Sequence, residues 1–200
     1  MRHEKVDVIF QAAVQVFAES GFDQAKMDDI AQAAGVAKGT IYYHFKSKEE
    51  LFVGLMNEGM KRLIDCARRS IAVHDSPAEQ LKALLHAHVH FFIQNEKLAK
   101  LVLNEAFGTK ERQQQFRAKI REYLNLIQEI LQKGMETGEF QLEHPQETAS
   151  AVFGAASVVV LQKIYSLEQY GTQASVEAKI PAMIDSLQRV FFSGLTNHKT

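Results

Sequence analysis

Between Gly35 and Lys48 the chain reads GVAKGTIYYHFKSK, with three lysines and no acid. Lys38, Thr40, Tyr42, Tyr43 and His44 supply hydrogen-bond donors and flat rings, a set suited to phosphate oxygens and base edges. The spacing predicts a short helix from about Lys38 to Phe45. Ile41 and Phe45 are one turn apart and face inward, which leaves the polar set around the remaining surface. Gly39 lets another backbone come close. Ser47, with Glu50 three residues on, forms a capping box that opens a further helix. The amides at that start, together with Lys46 and Lys48, make an anion site.

Two neighbouring segments must position this stretch. Met27 to Ala34 reads as a helix with Ile30, Ala31, Ala33 and Ala34 at its apolar end and Asp28 and Asp29 in its first turn, where they complement the helix dipole. Gly35 breaks it, because glycine adopts a left-handed backbone cheaply. Val36 plugs the gap before the next helix begins. Helix, glycine turn and helix together form a helix-turn-helix pattern. Upstream, Val6, Ile9, Phe10, Ala13, Val14 and Phe17 recur at helical spacing over Glu4 to Ser20. Gly21 ends that helix and Phe22 turns back over the core.

The string GVAKGTIYYHFKSKEEL, preceded by FAESGF and MDDIAQAAGV at matching spacing, resembles the signature of TetR-family transcriptional regulators. The resemblance covers about the first quarter of the chain by motif and the remainder by length and helix layout. It implies an N-terminal DNA-binding domain over residues 1–46, and a ligand-binding and dimerisation domain over 47–200. Carried over by motif position, phosphate contacts fall to Thr40, Tyr43, His44, Lys46, Lys48 and Lys26. Base contacts fall to Lys38, Gly39, Thr40 and Tyr42. Two positions depart from the family. Lys26 stands where Thr or Ser is common, and Ala37 where Ser is common. A missing cap costs about 1 kcal/mol.

The remaining chain favours an all-α fold of about nine helices. With 200 residues and 46% hydrophobic content, it has enough apolar material for a small domain plus a larger one. The lone Cys66 excludes an internal disulfide and suits a reducing cytoplasm; it reads as a small core side chain. No signal peptide and no bilayer-spanning stretch is expected. The charge argues against a basic DNA-binding domain: six basic and eight acidic residues in the first fifty give −2. DNA binding therefore rests on local charge placement.

Further helices are expected from Lys48 to His74, from Ser76-Pro77-Ala78-Glu79 to about Asn95, and from Glu96 to Phe107. Others should cover Thr109 to Thr137, Pro145 to Glu168, and a last segment to Leu195. Pro181 should kink that segment or mark its start. By resemblance, an effector pocket would be walled by His88, Phe91, Phe92, Leu101, Val102, Glu105, Phe107, Phe116, Tyr123, Ile127, Phe153 and Tyr165. Such a mostly apolar and aromatic lining suits a greasy effector. The helix after Pro145 is apolar nearly all round, so it should be covered on two sides. By resemblance the last two helices pair with those of a second copy, through Ala149, Val152, Phe153, Ala156, Val160, Ile184, Leu187 and Phe191.

His86 and His90, one turn apart, could share a metal, with Glu105 the obvious nearby carboxylate. No HExxH pattern, nucleophile elbow, P-loop or dinucleotide glycine motif occurs. No catalytic residue, metal or cofactor is therefore expected. The sequence points to a cytoplasmic homodimeric repressor, released from an approximately palindromic operator by a small apolar effector. The competing classes are a small metal-dependent helical enzyme and a DNA-independent helical adaptor.

Overall fold

The computed structural model describes the backbone of residues 2–105, 110–170 and 178–195, and the side chains of 4–103, 116–166 and 178–195. Within these residues there is no strand, and the helices in chain order are α1 (Arg2–Gln24), α2 (Met27–Ala33), α3 (Lys38–His44), α4 (Lys48–Ile71), α5 (Pro77–Gln94), α6 (Glu96–Glu105), α7 (Lys110–Glu136), α8 (Pro145–Tyr170) and α9 (Ile180–Leu195). The all-α expectation holds. Pro181 falls in the opening turn of α9, where its missing N–H has no helical partner to lose.

Two compact units form, one from residues 1–60 with 97–118 and the other from 61–96 with 119–200. The expected division between residues 46 and 47 falls inside the first unit. The reason is aromatic packing: Phe52 of α4 meets Phe17 edge-on at 5.1 Å and Phe22 at 5.0 Å. The first turns of α4 are thus part of the N-terminal core.

In the first unit, α1 is interrupted at Gly21, whose φ of 73° is outside helical space. Phe22 folds back and stacks on Phe17 at 5.8 Å. α2 ends in a Schellman turn. Gly35 has φ 63°, its N–H donates to Gln32 O at 3.0 Å, and Val36 N–H donates to Ala31 O at 3.0 Å. This turn swings the chain from α2 into α3 without a clash, which any side chain at Gly35 would strain.

In the second unit, α5 packs against both α8 and α9, which also touch each other. The stripe Ala149, Val152, Ala156, Val160 and Ile164 on α8 is buried, as are Ile180, Met183, Ile184 and Leu187 on α9. The expectation that no segment could span a bilayer is corrected here. Pro145–Ser166, 22 residues within α8, is long and apolar enough by length and composition. Its apolar surplus has a different cause: one side lies in the core, and the other is a strip of small and branched residues at the surface.

The start of α5 is capped by Ser76 with Pro77 in the first turn, as the sequence predicts, and a distant carboxylate that the sequence does not reveal joins it. Ser76 accepts from Glu79 N–H at 3.5 Å, and the Glu139 carboxylate accepts from Ser76 Oγ at 2.7 Å and Ala78 N–H at 3.1 Å. These bonds, the Ser76 hydroxyl foremost, lower the Glu139 carboxyl from its ordinary range. The turn that delivers Glu139 depends on Gly134. Phe140 N–H closes onto Gly134 O at 2.9 Å, and the buried Phe140 ring lies where a Cβ on Gly134 would be. Gly134→Ala should therefore overpack this corner and lower stability by about 1–3 kcal/mol. Urea unfolding checks this; an unchanged midpoint would show that the ring moves aside freely.

Candidate nucleic-acid interface

Helix α3 is held by two buried anchors. Ile41 is fully buried and Phe45, just past the helix end, is 8% exposed, with its ring 5.5 Å from Phe10. Lys38, Gly39, Tyr42 and Tyr43 are exposed, and Thr40 and His44 half-buried. Tyr43 is the most open ring at 67% exposure, and it meets His44 edge-on at 5.1 Å. A Cβ on Gly39 would meet nothing within 4 Å, so the surface there is free for close approach. Neither Lys26 nor Ala37 gives a side-chain cap to the helix it precedes. Lys26 and Lys46 are exposed. The structure thus brings the expected DNA-contacting residues onto one region of the first unit, apart from one.

That one is Lys48. Its ammonium donates to Asp23 O at 2.9 Å and Ala25 O at 3.0 Å and sits 4.7 Å from the Phe22 ring centroid. Sequence placed it among phosphate contacts; folding turns it inward as a clamp on the α1–α2 link. The carbonyls that end a helix need donors, and a lysine opening α4 supplies them. The expected anion site at the α4 start is also partly filled by the chain itself. Glu50 Oε2 accepts from Lys46 N–H at 2.6 Å, while Ser47 Oγ accepts from Glu50 N–H at 3.1 Å. This is the capping box displaced by one residue at its acceptor end.

Lys38 has a partner that local sequence does not suggest. Its ammonium donates to Asp28 Oδ2 at 2.7 Å and lies 5.9 Å from the Tyr42 ring centroid. The Asp28 hydrogen bond and charge raise the Lys38 pKa.

The expected effector residues belong to both units. Leu101, Val102 and Phe116 belong to the first unit, with Val102 and Phe116 buried. In the second unit, His88 is fully enclosed: Nδ1 is 3.3 Å from Tyr123 Oη and Nε2 is 3.5 Å from Ser157 Oγ. Phe92 and Phe153 meet the His88 ring edge-on at 4.9 and 5.8 Å. Burial pushes the His88 pKa down to about 3 and the Tyr123 pKa up, so both are neutral. Ser157 was not among the expected residues; one of three serines on α8, it gives little warning of a buried partner. Ile127 is buried and Phe91 half-buried, whereas Tyr165 is 40% exposed. The side chain of Glu105 and all of Phe107 lie outside the described residues. His86 and His90 stack at 6.3 Å on an exposed face, and burial, then the charge of His90, lowers the His86 pKa. No cluster of three or more metal-ligating side chains occurs among the described residues. Cys66 is half-buried rather than part of the closed core.

The expected dimer residues also need correction. Ala149, Val152, Ala156, Val160, Ile184 and Leu187 are at most 4% exposed and face the chain's own core. Phe153 and Phe191 are half-buried. Helical periodicity showed which residues share a face but not which partner covers it.

A helix-turn-helix with an exposed donor-rich second helix, followed by a larger helical unit, defines a DNA-binding transcriptional regulator of the ligand-responsive kind. Residues 9–55 match the model for bacterial regulatory proteins of the tetR family, and 74–161 match the tetracyclin repressor-like C-terminal domain. The fatty acid degradation regulator FadR from Bacillus halodurans is 31% identical, with a TM-score of 0.85 over 97% of both chains. FadR from Bacillus subtilis, solved in complex with stearoyl-CoA, is 28% identical, with a TM-score of 0.82 over 94% of this chain and 97% of that one. The fatty acid metabolism regulator protein of Bacillus subtilis (strain 168) is 29% identical, over 94% of each chain. The chain belongs to the tetR family of bacterial regulatory proteins.

Two lysine substitutions separate scaffold from contact. Lys48→Met should lower stability by about 1–3 kcal/mol, the cost of charge-assisted bonds, and leave the salt dependence of DNA binding unchanged. Lys46→Ala should weaken binding to every duplex and flatten the slope of log K against log salt by about 0.9. Urea unfolding and salt-dependent anisotropy read both; the opposite pattern would reverse the two roles.

Proposed function

We propose that this chain is a non-enzymatic, cytoplasmic repressor whose effector is a fatty acyl-coenzyme A thioester. The observation that carries this is the likeness, over nearly the whole of both chains, to a fatty acid degradation regulator. The stearoyl-CoA complex of a second relative supports the thioester class. DNA contacts are assigned to Lys26, Lys38, Gly39, Thr40, Tyr42, Tyr43, His44 and Lys46, on an approximately palindromic operator read by two copies. Effector binding releases DNA only if the thioester binds the DNA-incompetent state more tightly. The buried polar group of His88, Tyr123 and Ser157, enclosed by Phe92 and Phe153, supplies donors and acceptors in an otherwise apolar interior. It suits an acyl chain with one polar junction better than a sugar or free phosphate.

The two copies are proposed to meet through the outward strip of α8 and α9 rather than the buried stripe. On that strip Val158 is 53% and Val190 67% exposed, beside the small residues Ala151, Ala155 and Gly194.

Duplexes selected from a random DNA pool provide the operator, and acyl-CoA thioesters of graded length provide the ligand series. Long-chain thioesters should release the operator at concentrations where free coenzyme A does not. Release by no member of the series would reject the thioester class. Val158→Glu should shift the protein to a folded monomer in analytical ultracentrifugation and weaken operator binding. A variant that stays dimeric would place the interface elsewhere.

A further inference from the structure

Folding places a carboxylate beside the helix that otherwise carries no acid. Asp28 sits in the first turn of α2, ten residues before Lys38, yet the two side chains meet at 2.7 Å. Both are open to solvent, at 67% for Lys38 and 54% for Asp28. Asp29 is also exposed, but Lys38 pairs with Asp28. As the first residue of α3, Lys38 stands at the edge of the donor-rich surface, above the Tyr42 ring.

A carboxylate on a DNA-facing surface repels phosphates, since neutralising phosphate charge is the main source of affinity. It needs a compensating role. Bound to Asp28, the Lys38 ammonium keeps two N–H donors, enough for guanine O6 and N7, while the free lone pairs of Asp28 can accept from cytosine N4. The pair then presents donor and acceptor side by side, the pattern that a G·C pair shows in reverse in the major groove. An untethered lysine would instead swing to the nearest phosphate, where it carries no sequence information.

We infer that Asp28 is a specificity-determining residue of DNA recognition, which holds Lys38 at the base edges, reads G·C with it, and suppresses binding to other duplexes. The inference rests on the assignment of α3 as the DNA-reading helix. In a pair of this kind the acid lowers total affinity and raises the ratio between the correct and incorrect sequence.

The test uses the full-length chain with a selected duplex and a scrambled duplex of equal length, by anisotropy across a salt series. Asp28→Asn should bind the scrambled duplex more tightly and reduce the selected-to-scrambled ratio by about fivefold or more. Its slope of log K against log salt should steepen by about 0.9, as Lys38 moves to a phosphate. Lys38→Gln leaves the carboxylate unpaired, so both duplexes should be bound more weakly and the ratio should fall as well; it serves if the first variant does not fold. An Asp28→Asn protein that keeps both ratio and slope would overturn the inference, as would a Lys38→Gln protein that keeps the ratio. A wild type that bound no duplex at all would overturn the regulator assignment and the inference with it.

Discussion

A two-turn helix is not stable alone in water, because nucleation outweighs the few hydrogen bonds it closes. α3 is seven residues long and its N-cap, Ala37, bonds no amide through its side chain. Its geometry therefore depends on the apolar contact beneath it. Ile41 and Phe45 insert against the core, and Phe45 finds Phe10. Around that contact the first unit is arranged: α1 supplies the floor through Phe10, the Gly35 turn sets the entry, and α4 meets Phe45 at Gly54, where a Cβ would lie 3.5 Å from the ring. Burying two side chains of this size contributes about 1.5–3 kcal/mol each, more than a missing cap loses.

Much of this unit is legible in the sequence because its signals are local. Glycine at a left-handed position, a serine three residues before a glutamate, and two apolar residues one turn apart each speak for neighbouring backbone. The contacts that sequence missed join residues far apart in the chain. Lys48 reaches back 25 residues to Asp23, and Glu139 lies 63 from the Ser76 it caps. No pattern in the intervening residues marks either pairing. The α8 stripe failed for another reason. A helix apolar on most sides has no contrast from which to tell the face that meets its own core from the face that meets another molecule. Only the packing of α5 and α9 on α8 decides that Ala149, Val152, Ala156 and Val160 point inward.

The two units use polar groups in opposite ways. In the first, apart from the inward-turned Lys48, the ion pair of Lys38 and Asp28 stays in the open, where it adds little stability and its value is positional. In the second, polar groups are enclosed. His88, Tyr123 and Ser157 satisfy one another among phenylalanines at hydrogen-bond lengths of 3.3 and 3.5 Å, long enough that an arriving partner could compete. An interior that is polar yet loosely bonded is better suited to exchange partners than one sealed by short bonds.

Enclosing His88 also makes the proton a ligand of the unfolded chain. Released from its aromatic cage, the imidazole would titrate near its ordinary value of 6.5, whereas in the fold it stays neutral until about pH 3. Above the ordinary value both states are neutral and nothing is gained or lost. Below it each unit of acidity favours the unfolded chain by about 1.4 kcal/mol, until the folded value is reached. The second unit thus carries an acid lability to which the His88 ring contributes, beside the Glu139 carboxyl that its cap holds low.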